Sequence, residues 1–388
     1  MKGNVAIVYH FFPHYRKAIN NLLLNSDNFK YYFYGDDHDP LDSGIKAWIC
    51  PDPNRFVYTR CHFIKQRYLI QSDVIGLALS NDFDHIIYLG DAQFLTTWIS
   101  IILARLTGKK VYYWSHGWWN RSNDIKERLR TIFYRLAHRL LVYGNRSKAI
   151  GVSLGFAPEK IHVIYNSLDY ARQKVERNQI SPESIYQTRK DLFENTDVPV
   201  VICTTRLVKM RRLDLLLEAL GLLKSQGITT NLLLVGDGPE RTNLEVLARR
   251  LKLHVRFYGE CYSEGILSKL ISCANVTVAP GKVGLSVTHS LAYGVPVISH
   301  SDPNDQGPEW EAIEEGVTGA LFIKNNISDL ARAIKQYVIS PLVSEVVRKN
   351  CYEVIDHFYN PDYQMKVIET ALEDYDADDT KWQKWIHV

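Results

Sequence analysis

Two doubly wound, parallel-sheet α/β domains facing across a cleft are the architecture this sequence predicts, and three observations carry that prediction. Apolar runs of strand length alternate with amphipathic helical stretches along most of the 388 residues, the pattern of repeated strand–helix–strand units. The alternation stops over the polar stretch 170–197 and then begins again. The composition is 46% hydrophobic and 23% charged, which fits a chain with full cores and excludes disordered and collagen-like classes.

In the first series, residues 5–9 read as a buried strand and a helix starts near Lys17. Strands follow at 31–34, 85–89, 110–113, 140–143 and 161–164, with helices at 62–79 and 124–138 among the segments between them. The second series places strands at 198–203, 232–235, 255–258, 276–279 and 296–299, and helices at 213–226 and 286–293. The expected organisation is an N-terminal domain over 1–169, a linker over 170–197, a C-terminal domain over 198–360 and a final helical segment, 361–388, packing back on the first domain. Open parallel sheets bind ligands where loops leave the carboxyl ends of the strands, so two such domains place the site in the cleft between them.

Several function classes drop out early. The six cysteines are scattered singly with no C-x-x-C pair, which excludes zinc ribbons and thioredoxin-like redox motifs and reads as reduced thiols. No apolar run approaches the ~20 residues of a membrane span, and the start of the chain does not read as a secretion signal. These features predict a cytoplasmic protein. The loop after the first strand, 10–16, holds no glycine, and the later Gly236-Asp237-Gly238 turn is not G-x-G-x-x-G, so nothing supports a nicotinamide cofactor. Residues 1–169 carry 21 Lys+Arg against 14 Asp+Glu, while the remainder carries 25 against 29. That asymmetry points one half towards an anionic partner, but no recognition motif accompanies it and nucleic acid is a poor fit. The acidic run at 373–379 reads as a solvated helix end.

Four segments could carry chemistry. Arg206 and Arg211 follow the strand at 198–203, with Lys209 and Arg212 beside them. Guanidinium groups at a strand end suit bidentate contact with phosphate; the alternative, a solvated helix start, sets cations against the helix dipole. Residues 280–298 give a strand end, Gly284, and a helix start at Leu285-Ser286, whose amides form an anion site or an ordinary strand-to-helix loop. His289 lies about one turn into that helix, as a ligand or as a structural residue. Val235-Gly236-Asp237-Gly238-Pro239-Glu240 is a strand, a tight turn and a helix start. In Tyr113-Trp114-Ser115-His116-Gly117-Trp118-Trp119, a strand-end histidine sits between indoles. It reads as a sugar-binding group or as a buried structural histidine.

Together these segments resemble glycosyltransferase family 4, the group 1 glycosyl transferases of GT-B architecture with two Rossmann-like domains. The run from Thr205 to Leu216, Thr-Arg-Leu-x-x-x-Arg-x-x-Asp-Leu-Leu, resembles the family's Gly-Arg-Leu-x-x-x-Lys-Gly, placing Arg206 on its arginine and Arg211 on its lysine, with Lys209 as a stand-in for the latter. Val-Gly-Asp-Gly-Pro-Glu at 235–240, Ala-Tyr-Gly-Val-Pro-Val at 292–297, EAIEEGVTG at 311–319 and Ile-Tyr-Asn-Ser-Leu-Asp at 164–169 are similar to further family motifs. In the N-terminal half the resemblance rests on His116 and the Phe-Pro-x-Tyr-Arg turn that ends at Arg16. The family's Glu-x7-Glu signature falls here on Gly281 and His289. In the family the first glutamate contacts the donor sugar and the second the ribose; Glu309 is the candidate substitute for the first.

The resemblance implies transfer of a sugar from a UDP- or GDP-sugar to an acceptor hydroxyl with retention of configuration, with no cofactor and no metal. It places His116, Arg206 and Arg211 in catalysis, and Gly236, Gly238, Gly284, Leu285, Ser286, His289, Glu309 and Lys209 around the donor. Arg16 and Trp118 fall on the acceptor or phosphate side. The acceptor it suggests is a glycan or lipid-linked glycan of bacterial polysaccharide or lipopolysaccharide synthesis. The segment 121–148 interleaves Arg128, Arg130, Arg135, Arg139 and Arg146 with Ile132, Phe133, Leu136 and Leu140; it reads as a basic amphipathic helix for the anionic inner face of the cell membrane, or as a core-packed helix with a solvated basic face. Two other readings share the architecture: a nucleotide-sugar epimerase, and a catalytically inactive scaffold or binding subunit.

Overall fold

The computed structural model of the protein describes residues 2–42, 44–120, 124–339, 343–377, 381 and 383. The chain forms two compact units, one of Met1–Asp169 with Asn360–Val388 and one of Tyr170–Tyr359. In the first unit the elements run β1 (Asn4–Phe11), α1 (Lys17–Leu24), β2 (Lys30–Asp36), β3 (Phe56–Tyr58), β4 (Cys61–Ile64), β5 (Tyr68–Gln71), α2 (Val74–Leu79), β6 (His85–Leu89), α3 (Leu95–Leu106), β7 (Lys110–Ser115), α4 (Ile125–Arg135), β8 (Arg139–Val142), α5 (Asn145–Ser153) and β9 (Ile161–Val163). The second unit runs α6 (Tyr170–Asn178), α7 (Pro182–Leu192), β10 (Val200–Thr204), α8 (Leu213–Ser225), β11 (Asn231–Val235), α9 (Arg241–Arg250), β12 (His254–Gly259), α10 (Glu264–Ser272), β13 (Val276–Ala279), α11 (Ser286–Ala292), β14 (Val297–His300), β15 (Gly319–Phe322), α12 (Ile327–Val338) and α13 (Glu345–His357). Helix α14 (Pro361–Leu372) returns to the first unit.

Both main sheets are parallel throughout. The first has the order β3-β2-β1-β6-β7-β8-β9 and the second β12-β11-β10-β13-β14-β15. Their central strands carry continuous apolar runs such as LLLV at 232–235 in β11, buried at every position, because helices cover both faces of a parallel sheet. In each sheet the order reverses beside the first strand of the unit, between β1 and β6 and between β10 and β13. Such a switch point opens a crevice at the carboxyl ends of the strands.

Three expectations change. Residues 170–197 are not a linker: α6 and α7 belong to the second unit and pack on α10. Their anchoring is polar, with buried Arg189 donating from Nε to the Cys273 carbonyl at 2.8 Å and from Nη2 to Asn275 Oδ1 at 2.9 Å. The helix expected over 62–79 is the antiparallel β4–β5 hairpin followed by the short α2, since CHFI and YLIQ alternate with the two-residue period of strands. The acidic run after α14 is not a solvated helix end. Asp374 accepts from His138 Nε2 at 2.7 Å and pairs with Lys110, and its carbonyl accepts from Arg139 Nη2 at 2.6 Å; residues 378–380 lie outside the described residues. Together with Ser167–Gln364 (2.8 Å) and Asn28–Glu369 (2.6 Å), this clasp fixes α14 on α1 and β9.

Candidate active site

In the second unit the loops after β10 and β13 form the crevice. Beyond Thr204 the chain passes Thr205, Arg206 and Leu207 into a single 3-10 turn, Lys209–Arg211. The β11–α9 loop lies directly on this backbone: Thr205 N–H donates to the Val235 carbonyl at 2.9 Å, and Leu207 N–H to that of Asp237 at 2.9 Å. A β-carbon on Gly236 would sit 2.0 Å from the Thr205 oxygen, and one on Gly238 2.4 Å from the Leu207 oxygen. Gly236 also has φ +132°, which side chains rarely tolerate. These two glycines therefore position the segment that carries Arg206.

The cations here divide clearly. Arg206 and Lys209 are exposed and make no hydrogen bond or ion pair with another described residue. Half-buried Arg211 donates one Nη1 bond to the Lys282 carbonyl, while its Nε is buried without a partner. Arg212, at φ +52°, is committed to Asp214 and Asn325. A β-carbon on Gly281 would lie 2.3 Å from the Met210 oxygen and 2.9 Å from the Arg211 Cα, so the turn occupies the place a side chain would need. Thr204, Arg211, Gly281, Lys282 and Ser286 border a space of about 10 Å³, room for one water.

The loop to α11 is bolted by Gln306, whose Oε1 accepts the Val283 N–H at 2.9 Å and whose Nε2 donates to Ser299 and the His300 carbonyl. A β-carbon on Gly284 would meet nothing within 4 Å, so Gly284 borders open space, while Leu285 and Ser286 beside it are half-buried. His289 is engaged by a neighbour: Nε2 lies 2.9 Å from Glu264 Oε1, which also accepts from the Tyr293 hydroxyl. Burial alone would raise the Glu264 pKa, yet these bonds from His289 and Tyr293 outweigh it and hold the carboxyl below its usual range. Glu309, expected as a substitute contact for the donor sugar, is 3% exposed and does not border the space beside Arg211. The turn Pro308–Ala312 that carries it is drawn inward by Trp310, whose Nε1 donates to the His300 carbonyl at 2.9 Å.

In the first unit the crevice is a cavity of about 730 Å³ at the ends of β1, β6 and β7. His116 is exposed there and stacks on Trp119 with centroids 5.2 Å apart. Trp118, expected on the acceptor side, is instead 2% exposed and packs edge-on against Tyr134 and Phe156. Gly117 explains the exchange: its φ of +69° reverses the chain, and a β-carbon there would lie 1.9 Å from Ser147 Oγ, so residue 118 turns inward. Of the two adjacent indoles, Trp119 lines the cavity.

Arg16 also lines this cavity, donating to the Tyr9 hydroxyl at 2.6 Å and to that of Tyr143. Sequence reasoning missed His10 and Asp91 on the same wall; their signal was position, His10 being the next-to-last residue of β1 and Asp91 two residues beyond β6, the strands that flank the switch point. Burial pushes the His10 pKa down to about 4, so the ring is neutral at pH 7, and its Nδ1 is buried without a partner. One group of described side chains, Asp36, Asp37 and His38, places donor atoms within 4.8 Å of one another as a metal site requires, but His38 already bridges the two carboxylates at 2.8 Å each.

Against known families, residues 184–354 match the model of "Glycosyl transferases group 1" and residues 33–172 that of "Glycosyltransferase Family 4". The chain is 27% identical over 159 residues to an alpha-D-kanosaminyltransferase of Streptomyces kanamyceticus, covering 40% of each chain. It is 28% identical over 149 residues to a GDP-mannose-dependent monoacylated alpha-(1-6)-phosphatidylinositol monomannoside mannosyltransferase of Corynebacterium glutamicum, covering 35% of this chain and 39% of that one. The matches thus span about two fifths of the length of these curated relatives. Among solved structures, Anabaena HepE in complex with UDP is similar with a TM-score of 0.69 and 16% identity, over 96% of this chain and 100% of that one, a likeness of fold.

Proposed function

The chain belongs to the group 1 glycosyl transferases of glycosyltransferase family 4, and on that premise we propose that it transfers a sugar, with retention and without a metal, from a UDP- or GDP-sugar to a hydroxyl of a lipid-linked glycan. The observation that carries this reading is the set of cations on the loop after β10: Arg206 and Lys209, exposed and without side-chain partners among the described residues, and Arg211, whose Nε is buried without a partner. As the bond from the anomeric carbon to the diphosphate breaks, its electron pair leaves on the diphosphate, and fixed cations stabilise that charge most where it is greatest. The acceptor oxygen forms the new bond on the face the diphosphate leaves and passes its proton to that diphosphate. UDP in the Anabaena structure and GDP-mannose in the Corynebacterium relative support the donor class, and the phosphatidylinositol mannoside named for the latter supports a lipid-linked acceptor. His116, with Trp119 behind it, is assigned to the sugar near its reacting end.

Arg206→Ala tests the reading: turnover drops at least ~100-fold, the loss expected for one charge-stabilising donor. Turnover within a few-fold of the parent refutes the assignment. The epimerase alternative needs a carboxylate poised at the sugar ring, and with Gly281 lacking a side chain and Glu309 buried none of the expected positions supplies it. The same two features are what favour an inactive binding subunit; such a protein binds nucleotide but transfers no sugar to any acceptor.

For localisation we propose a peripheral site on an anionic membrane surface. Among the described residues no helix is long and apolar enough to cross a membrane. On α3, Leu95, Ile99, Ile102 and Leu106 are exposed at helical spacing, and α4 exposes Ile125, Leu129 and Ile132 in the same way. The two helices are neighbours, joined by Trp98 against Phe133 at 4.8 Å and by Arg105 on the Leu136 carbonyl. Exposed Arg105, Lys126, Arg128 and Arg135 flank these stripes, a combination suited to apolar insertion with headgroup pairing. Arg139 and Arg146 do not belong to this face, as they bond to the Asp374 and Trp119 carbonyls, and Arg121 lies outside the described residues.

A further inference from the structure

The cavity of the first unit is unevenly charged. Arg16, Arg67, Lys126 and Arg130 line it, against the carboxylates of Asp39 and Asp91. Arg130 is paired with Glu127 at 3.0 Å, but Arg67 is held by neutral Gln93 at 2.9 Å, and Lys126 makes no bond with a described residue. Arg16 is the most telling. Its guanidinium lies about 5 Å from the ring centroids of Tyr9 (5.0 Å), Trp114 (5.1 Å) and Tyr143 (5.5 Å), and its described hydrogen-bond partners are two phenol oxygens. Of the five N–H donors a guanidinium carries, two are used. The aromatic walls attract a cation, yet no carboxylate among the described residues pairs with it, and a half-buried charge without a counter-charge is costly. The walls fix the fork while leaving donors unspent, as an anion site requires.

Resting on the transferase reading above, we infer that this pocket takes a glycan acceptor that itself carries an anionic group, a carboxylate or a phosphate, and that Arg16 binds that group while Trp119 stacks on a sugar ring. Neutral His10, with its free Nδ1 on the same wall, hydrogen-bonds a hydroxyl beside it. The cavity, about 730 Å³, is within the range of ordinary ligand pockets. Arg67 and Lys126 extend the positive field across the mouth.

The test compares methyl glucuronide and glucose 6-phosphate with methyl glucoside and glucose as probes, read by tryptophan fluorescence and saturation-transfer NMR on the full chain. The acidic probes bind at least ~10-fold more tightly than their neutral counterparts, the scale of one charge-assisted hydrogen bond, and the preference weakens at high salt. Whichever acidic probe leads identifies the group as carboxylate or phosphate. Arg16→Gln removes the preference, Arg16→Lys retains part of it, and Lys126→Gln, at an exposed position, weakens it should Arg16→Gln fail to fold. Equal binding of neutral and acidic probes overturns the inference. A loss of UDP or GDP affinity in Arg16→Gln as large as the loss for acidic probes also overturns it, because the anion would then be the donor's diphosphate. Failure of the transferase reading shows separately, as absence of sugar transfer from any UDP- or GDP-sugar by the parent protein.

Discussion

The two units share a doubly wound parallel sheet, and their switch-point crevices differ in almost every other respect. In the second unit, glycines at 236, 238 and 281 let three loops touch backbone to backbone, closing the space beside Arg211 to about 10 Å³, while Arg206 and Lys209 of the same loop stay exposed. In the first unit, Tyr9, Trp98 and Trp119 border an open cavity of about 730 Å³. One topology thus yields a tightly closed backbone crevice with exposed cations on one of its loops, and an aromatic pocket, and the difference lies in the loop residues. A diphosphate needs fixed donors, whereas a sugar needs area to stack on.

Adjacent indoles in the first unit sharpen this contrast. Trp118→Ala removes a core side chain and lowers stability by ~3–5 kcal/mol, visible in a denaturant titration. Trp119→Ala, at a half-buried position, lowers stability by only ~1 kcal/mol but weakens acceptor binding, with nucleotide affinity unchanged. Reversal of the two outcomes would return Trp118 to the acceptor side. The neighbouring α3–α4 face gives the next effect: flotation with liposomes containing anionic lipid retains the parent protein, and Ile99→Glu with Leu106→Glu releases it. Equal flotation with neutral liposomes, or none with either, removes the electrostatic membrane reading.

The smallest effect concerns the clasp of α14 on the first unit. Burial opposes ionisation of Asp374, but Lys110 and His138 prevail and hold its pKa down to about 2, against an ordinary value of 3.8. A depressed carboxyl pKa contributes stability that is present above the unfolded value and lost as pH falls through the folded one. Asp374→Asn should therefore lower the thermal midpoint at neutral pH, with the difference from the parent fading between about pH 4 and pH 2. Asp374 is 38% exposed, so the shift is modest; a difference that persists unchanged at pH 2 would assign the effect to packing instead.

Strands buried on both faces were legible because their apolar runs leave no other reading, and β6 and β13 begin and end where the sequence places them. The helices α6 and α7 were not, since their buried positions include Gln173 and Arg189, and a polar anchor leaves no hydrophobic period to detect. The β4–β5 hairpin was too short for its alternation to outweigh a helical reading. In the site, Arg206, Lys209, Arg211 and His116 stand where motif spacing places them, at the ends of β10 and β7. The inward turn of Trp118 depends on the positive φ of Gly117, and the burial of Glu309 on the Trp310 anchor. Neither is encoded in spacing. Glu264 was invisible as the partner of His289 because they are 25 residues apart.

The central claim is that Arg206 and Arg211 receive a nucleoside diphosphate without a metal. Thermal denaturation with UDP, GDP and their sugar conjugates in the presence of a chelator tests it most directly. At a hundred times its dissociation constant a ligand adds ~2.7 kcal/mol of stability. The account predicts a raised midpoint with one of the two nucleotide families, and loss of that shift in Arg206→Ala. A parent protein that none of them stabilises, or an equal shift in Arg206→Ala, would contradict it.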